Sequence, residues 1–229
     1  MLNDVRAVAF DLDNTLWDVE PVLARAEARL LEWLHVHCPR IPERVSLADM
    51  RAARERLARA EPQRAHDVTY LRLTALEQHA RDCGYQRDIG RRAFEVFLAA
   101  RNEVDVLPDV RPGLERLAAR YVLASLSNGN ADLGRIGLDA AFALSLNACQ
   151  IGAAKPDLRC FERLAHELAL EPRSILYVGD DPWLDVSAAR AADCRGGWMN
   201  RRAVLWPQEL PPPDLTVRDC LELATRLGA

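Results

Sequence analysis

No apolar run in this chain approaches the ~20 residues that cross a bilayer, and the opening Met1-Leu2-Asn3-Asp4-Val5-Arg6 lacks the basic-then-apolar order of a secretory signal. Membrane insertion and export are therefore not expected, and a cytoplasmic location is the default. Charge of one sign is also lacking. The 30 basic and 34 acidic residues leave a formal net charge of −4, which predicts neither a nucleic-acid partner nor a membrane surface. Six cysteines, Cys38, Cys83, Cys149, Cys160, Cys194 and Cys220, form no CxxC pair and no Cys/His metal spacing. They read as reduced thiols, mostly small core residues. Internal repeats and low-complexity segments are missing as well.

What is present is a chain of 229 residues, 49% hydrophobic, enough for one large domain or a main domain carrying an insertion. Two patterns divide it. Between residues 21 and 102 apolar residues recur at helical spacing, as in Val22, Leu23, Ala26, Leu30, Leu31 and Leu34. Further helices are expected over 47–60, 67–83 and 88–101, separated by Pro39, Pro42, Pro62, Gly84 and Gly90. After Leu107-Pro108 short apolar runs alternate with helices: strands at 121–126, 143–146, 174–178, 195–199 and 214–217, and helices at 111–120, 131–138, 157–168, 184–192 and 219–227. With a first strand at 5–10, this predicts an α/β fold, a three-layer Rossmann-like and mainly parallel sheet, interrupted after strand one by an all-helical insertion. The expected division is 1–16 plus 105–229 for the α/β core and 17–104 for a helical cap. Ligands of such sheets sit beyond the carboxyl ends of the strands, so a cap inserted there would cover the site.

The apolar run Val8-Ala9-Phe10 ends in Asp11-Leu12-Asp13-Asn14-Thr15-Leu16. Side chains two apart on a strand share a face, and two carboxylates held that close call for a proton or a cation. Three more strand ends carry polar residues of complementary type. Ser127-Asn128-Gly129-Asn130 offers a hydroxyl and a flexible backbone suited to phosphoryl oxygens. Gly152-Ala-Ala-Lys155-Pro156 places a compact positive charge. Val178-Gly179-Asp180-Asp181-Pro182-Trp183-Leu184-Asp185 has three acids within six positions, which favours a cation site over turn duty alone. The arginine-rich run Arg51, Arg54, Arg56, Arg59 reads as the solvated face of a helix.

DLDNTL, SNGN, the lysine of AAKP and GDDPWLD, in this order, resemble the four motifs of the haloacid dehalogenase-like hydrolase superfamily. The helical insertion resembles that superfamily's first type of cap. The resemblance implies a nucleophilic Asp11 that forms an aspartyl-phosphate, and an Asp13 that protonates the leaving alkoxide and then activates water. It implies Mg²⁺ held by Asp11, the main-chain carbonyl of Asp13 and Asp180. Ser127, Asn128 and Lys155 would bind the phosphoryl group, and Asp185 and Asp181 would order metal-bound water, orient Lys155 or cap the next helix. Carbon–halogen hydrolases of the superfamily lack an acid two positions after the nucleophile, so Asp13 predicts phosphoryl transfer.

Within the superfamily the cap segments Ala60-Glu61-Pro62, His66-Asp67-Val68-Thr69, Leu76-Glu77-Gln78 and Val104-Asp105-Val106 are similar to bacterial flavin-mononucleotide phosphatases linked to riboflavin synthesis. The expected partner is a small phosphorylated metabolite. A phosphomutase of the same fold and a non-catalytic phosphometabolite binder are the rival readings. Two residues keep two readings each. Trp17 walls the pocket or packs the cap hinge, and His66 reaches a ligand or makes a local helix-end hydrogen bond.

Overall fold

The computed structural model describes Leu2 and residues 4–229. Six strands, β1 (Ala7–Phe10), β2 (Val122–Ser127), β3 (Leu144–Asn147), β4 (Ile175–Gly179), β5 (Arg195–Met199) and β6 (Leu215–Val217), form one sheet in the order β3-β2-β1-β4-β5-β6. Every pairing is parallel, as the α/β alternation predicts for a Rossmann-like sheet. On one face Ala7, Ala9, Ala124, Leu126, Ile175 and Tyr177 pack with Phe161 and Leu164, and with Ala188 and Ala189. The intervening residues Val8, Phe10, Leu123, Leu176 and Val178 are buried too. A sheet covered on both faces explains why its central strands read as continuous apolar runs rather than alternating ones.

The chain divides into two compact units. One comprises Met1–Asp18, Asp105–Gly129 and Leu133–Ala229, and the other Val19–Val104 with Asn130–Asp132. The second unit is helical: α1 (Val19–His37), α2 (Leu47–Ala60), α3 (Val68–Asp82) and α4 (Asp88–Arg101). Val22, Ala26, Leu30 and Leu34 of α1 recur every four residues on the buried face, which is the stripe an amphipathic helix presents to a core. Ala26, Leu30 and Leu34 share that core with Phe94 and Phe97 of α4. Gly90 lets α3 and α4 touch backbone to backbone, since a Cβ there would lie 2.5 Å from the Glu77 Cα. In the arginine-rich run, Arg56 and Arg59 are exposed as expected, but Arg51 and Arg54 turn toward the buried Glu27. The α3 helix opens on Asp67, whose carboxylate accepts from the Tyr70 N–H, so Asp67 and not His66 makes the helix-end bond.

The α/β unit carries α5 (Val110–Ala118), α6 (Leu133–Ile136), α7 (Ala148–Ile151), α8 (Leu158–Leu168), α9 (Ala188–Ala191) and α10 (Cys220–Arg226). Three strands run one residue further than their apolar runs. Ser127 still pairs with Asn147, and Gly179 with Trp198, because a ladder uses main-chain groups and tolerates a polar or absent side chain. The helix expected over 184–192 is instead a π-helical turn at Pro182–Ser187 followed by α9. The Asp181 carbonyl accepts from both Asp185 and Val186 N–H groups at 3.1 and 3.2 Å, which widens the turn, a device frequent at functional sites. The short α7, absent from the apolar pattern, is made by the reciprocal Asn147 and Gln150 capping bonds. All six thiols are free, five of them buried. Among the described residues no helix is long and apolar enough to cross a membrane.

Candidate active site

The strand order reverses direction between β1 and β4, and the crevice beyond their carboxyl ends is where open parallel sheets bind ligands. Asp11 leaves β1 there and its N–H donates to the Val178 carbonyl of β4 at 2.9 Å. Topology thereby brings together Asp11, the residues after Gly179, Ser127 at the end of β2, and the loop that carries Lys155.

Lys155 is the hub. Its ammonium is buried and donates to Asp11 Oδ1, Asp185 Oδ1 and the Tyr177 hydroxyl, each at 2.6 Å, so all three of its donors are engaged. Tyr177 in turn donates to the Leu126 carbonyl at 2.7 Å. Burial alone would push the lysine down, but the carboxylates of Asp11 and Asp185 hold it well above its ordinary value, as a permanently charged group. Asp185 is positioned from two sides, because its Oδ2 accepts from the Asp181 N–H at 3.0 Å. Gly179 is required beside it: a Cβ would meet that oxygen at 2.2 Å.

Carboxylate oxygens of Asp11, Asp180 and Asp185 lie within 4.8 Å of one another. Lys155 supplies one positive charge against these three acids. Burial, opposed by Lys155 and reinforced by Asp185 and Asp13, pushes Asp11 up to about 8. Asp180 rises to about 6, from burial and then the Asp185 charge. Hard oxygen donors under mutual repulsion suit a divalent cation such as Mg²⁺. Asp185, with both oxygens already engaged, stands behind Lys155, which leaves Asp11 and Asp180 as the side-chain ligands in reach.

The remaining sequence-designated residues take varied places. The Asp13 carboxylate lies outside the acidic triad and accepts from the Trp17 indole N–H at 2.8 Å. Ser127 is buried and its Oγ accepts from the Gly129 N–H at 3.0 Å, which keeps its own O–H for donation. The Asn128 amide is turned to the Lys155 main chain, donating to its carbonyl at 2.9 Å and accepting from its N–H at 2.8 Å. Its expected phosphoryl contact is thus left to its second amide hydrogen and its backbone. Asp181 Oδ1 accepts from the Trp183 and Leu184 N–H groups, both at 2.8 Å, so it caps the turn that Asp185 ends up on. Trp17 is fully buried. Tyr177 was named by no motif. A hydroxyl in the middle of an otherwise apolar buried strand was its signal, because such a group needs a partner.

A parallel sheet with a buried carboxylate, lysine and acidic cluster at its switch point places the protein in the α/β Rossmann-like class with a charged site at the strand ends. The chain belongs to the haloacid dehalogenase-like hydrolase family, whose model matches residues 5–193. It is 31% identical over 202 residues to the 5-amino-6-(5-phospho-D-ribitylamino)uracil phosphatase of Escherichia coli K12, covering 86% of this chain and 84% of that one. A phosphoglycolate phosphatase of Chromobacterium violaceum is 30% identical over 206 residues, covering 84% of each. Among solved structures, a 2-haloacid dehalogenase from Pseudomonas syringae pv. Tomato DC3000 superposes with a TM-score of 0.92 at 34% identity, covering 98% of both chains.

Proposed function

We propose that this protein is a Mg²⁺-dependent phosphomonoester hydrolase acting on a small phosphorylated metabolite, with flavin mononucleotide or a riboflavin-pathway phosphate as the leading substrate class. The observation that carries the reading is the gathering of Asp11, Asp180 and Asp185 within 4.8 Å, an arrangement that hydrolysis of a phosphate ester with a divalent ion uses and that carbon–halogen hydrolysis does not need. Asp13, two residues beyond the nucleophile, supports the same choice, and the phosphatase relatives support the substrate class.

In this mechanism Asp11 attacks phosphorus, and the bond to the ester oxygen breaks with its electron pair on that oxygen, which takes a proton from Asp13. Asp13 then removes a proton from water as it attacks the aspartyl-phosphate, and the bond to Asp11 breaks, returning the carboxylate and releasing phosphate. Ser127 holds the phosphoryl oxygens, Lys155 neutralises charge on Asp11 and on the transferring group from its bond to Asp11, and Asn128 and Asp185 hold Lys155. Asp11, Asp180 and the Asp13 carbonyl would hold Mg²⁺, which would neutralise charge between the carboxylates and the phosphate.

The haloacid dehalogenase structure at 34% identity is the specific observation favouring a second reading. One panel separates the two: flavin mononucleotide, p-nitrophenyl phosphate, sugar and nucleoside phosphates, phosphoglycolate and 2-chloropropionate, each with Mg²⁺ or with EDTA. Phosphate release that needs Mg²⁺ is the expected result. Chloride release that persists in EDTA, with every ester inert, would reject the proposal.

A further inference from the structure

We infer that Trp17 is a positioning residue for Asp13, its indole N–H fixing which carboxylate oxygen carries the proton delivered to the leaving group. The inference rests on the phosphatase reading above and adds to it a residue outside the motif acids and lysine.

The loop after β1 folds back on itself to make this contact. Leu16 N–H donates to the Leu12 carbonyl at 2.8 Å, and Asn14 N–H to the Trp17 carbonyl at 2.7 Å. Asn14 adopts a left-handed backbone, φ 61°, a conformation asparagine tolerates better than most residues. The result sets Trp17 beside Asp13 as a bridge partner, and Trp17 also pairs antiparallel with Val106. The next N–H, that of Leu107, donates to the Leu16 carbonyl at 3.1 Å. Trp17 is thus clamped by main chain on both sides, with its side chain fully buried and its N–H 2.8 Å from Asp13 Oδ1.

An indole N–H can only donate. A carbonyl oxygen accepts better than a hydroxyl oxygen, so the indole N–H at Oδ1 favours a proton on Asp13 at Oδ2. A half-turn of the carboxylate only exchanges equivalent oxygens and restores the same bond, while intermediate angles leave a buried N–H unpaired, which folded proteins avoid. Acid catalysis depends on the proton being placed at the ester oxygen as the bond from phosphorus to that oxygen breaks. A basic alkoxide needs that proton, whereas a nitrophenolate departs without it.

The test is kcat/KM for an alkyl phosphate and for p-nitrophenyl phosphate, measured with Mg²⁺ on wild type and Trp17→Phe. The loss on the alkyl ester is expected to exceed the loss on the aryl ester by about tenfold. A benzothienylalanine at position 17, which replaces the N–H by sulfur without changing shape, gives the same readout if the phenylalanine variant does not fold. Equal losses on both esters, or no loss on either, would show a packing residue and overturn the inference while leaving the phosphatase reading intact. Wild-type protein that hydrolyses neither ester overturns both.

Discussion

The two units bury charge in opposite ways. In the helical unit one carboxylate, Glu27, only 6% exposed, faces Arg51, Arg54 and Arg72. In the α/β unit one ammonium, Lys155, faces Asp11 and Asp185, with Asp180 close behind. The helical unit relieves its surplus in part: the Arg51 side chain reaches solvent, with 58% of it exposed, and Arg72 lies over the Phe97 ring at 3.6 Å, although burial and then Arg54 push Arg72 down to about 9. In the α/β unit burial first, and then the neighbouring acids, raise Asp11 and Asp180. A charge imbalance that the fold leaves unrelieved, at the rim of a sheet, marks the place where something else is meant to bind.

Removing the nucleophile breaks the comparison most sharply. Asp11→Asn is expected to lower phosphatase turnover at least ~10³-fold while lessening repulsion in the triad, so the melting temperature should hold or rise. Kinetics beside a thermal melt check both halves. Glu27→Ala should do the reverse, destabilising the fold by about 3 kcal/mol because it strands buried arginine charge. Chemical denaturation reads that loss.

Gly179→Ala probes the support of the site rather than its reacting groups. The added methyl displaces Asp185 and with it the grip on Lys155, and a 10–100-fold loss of activity, roughly the effect of losing an outer-shell partner, is the expected outcome in a steady-state assay. The smallest effect concerns pH. Asp180 and Asp11 are raised on folding, so their protonated forms favour the fold, and that stabilisation is complete below about 4 and lost as pH rises through about 6 and about 8. Metal-free protein should therefore weaken over that interval. Added Mg²⁺ should raise the melting temperature by roughly 5–10 °C near pH 8, and by less near pH 5, where protons compete for the same oxygens. Differential scanning fluorimetry at the two pH values decides it.

Much of the site could be read before folding, because the residues that carry chemistry follow apolar runs that can only be buried strands. Asp11, Ser127 and Asp180 fall at strand ends for that reason. Roles were less legible than positions. Asn128 reads as a phosphate donor from its place beside Ser127, yet both of its amide groups pair with the backbone of a residue 27 positions away. Asp181 and Asp185 have the same side chain in the same motif. A π-helical turn sends one to cap the turn and the other into the buried lysine site.

From the order of its residues alone, the chain determined its class, its alternation of strands and helices, and the acids and lysine at the strand ends, because burial period and side-chain chemistry are local properties. Which acid faces the lysine, which tyrosine completes its coordination and which indole holds Asp13 were decided only by the tertiary structure. Hydrogen bonds have directions and short reach, and residues far apart in the chain acquire both only when the sheet closes around them.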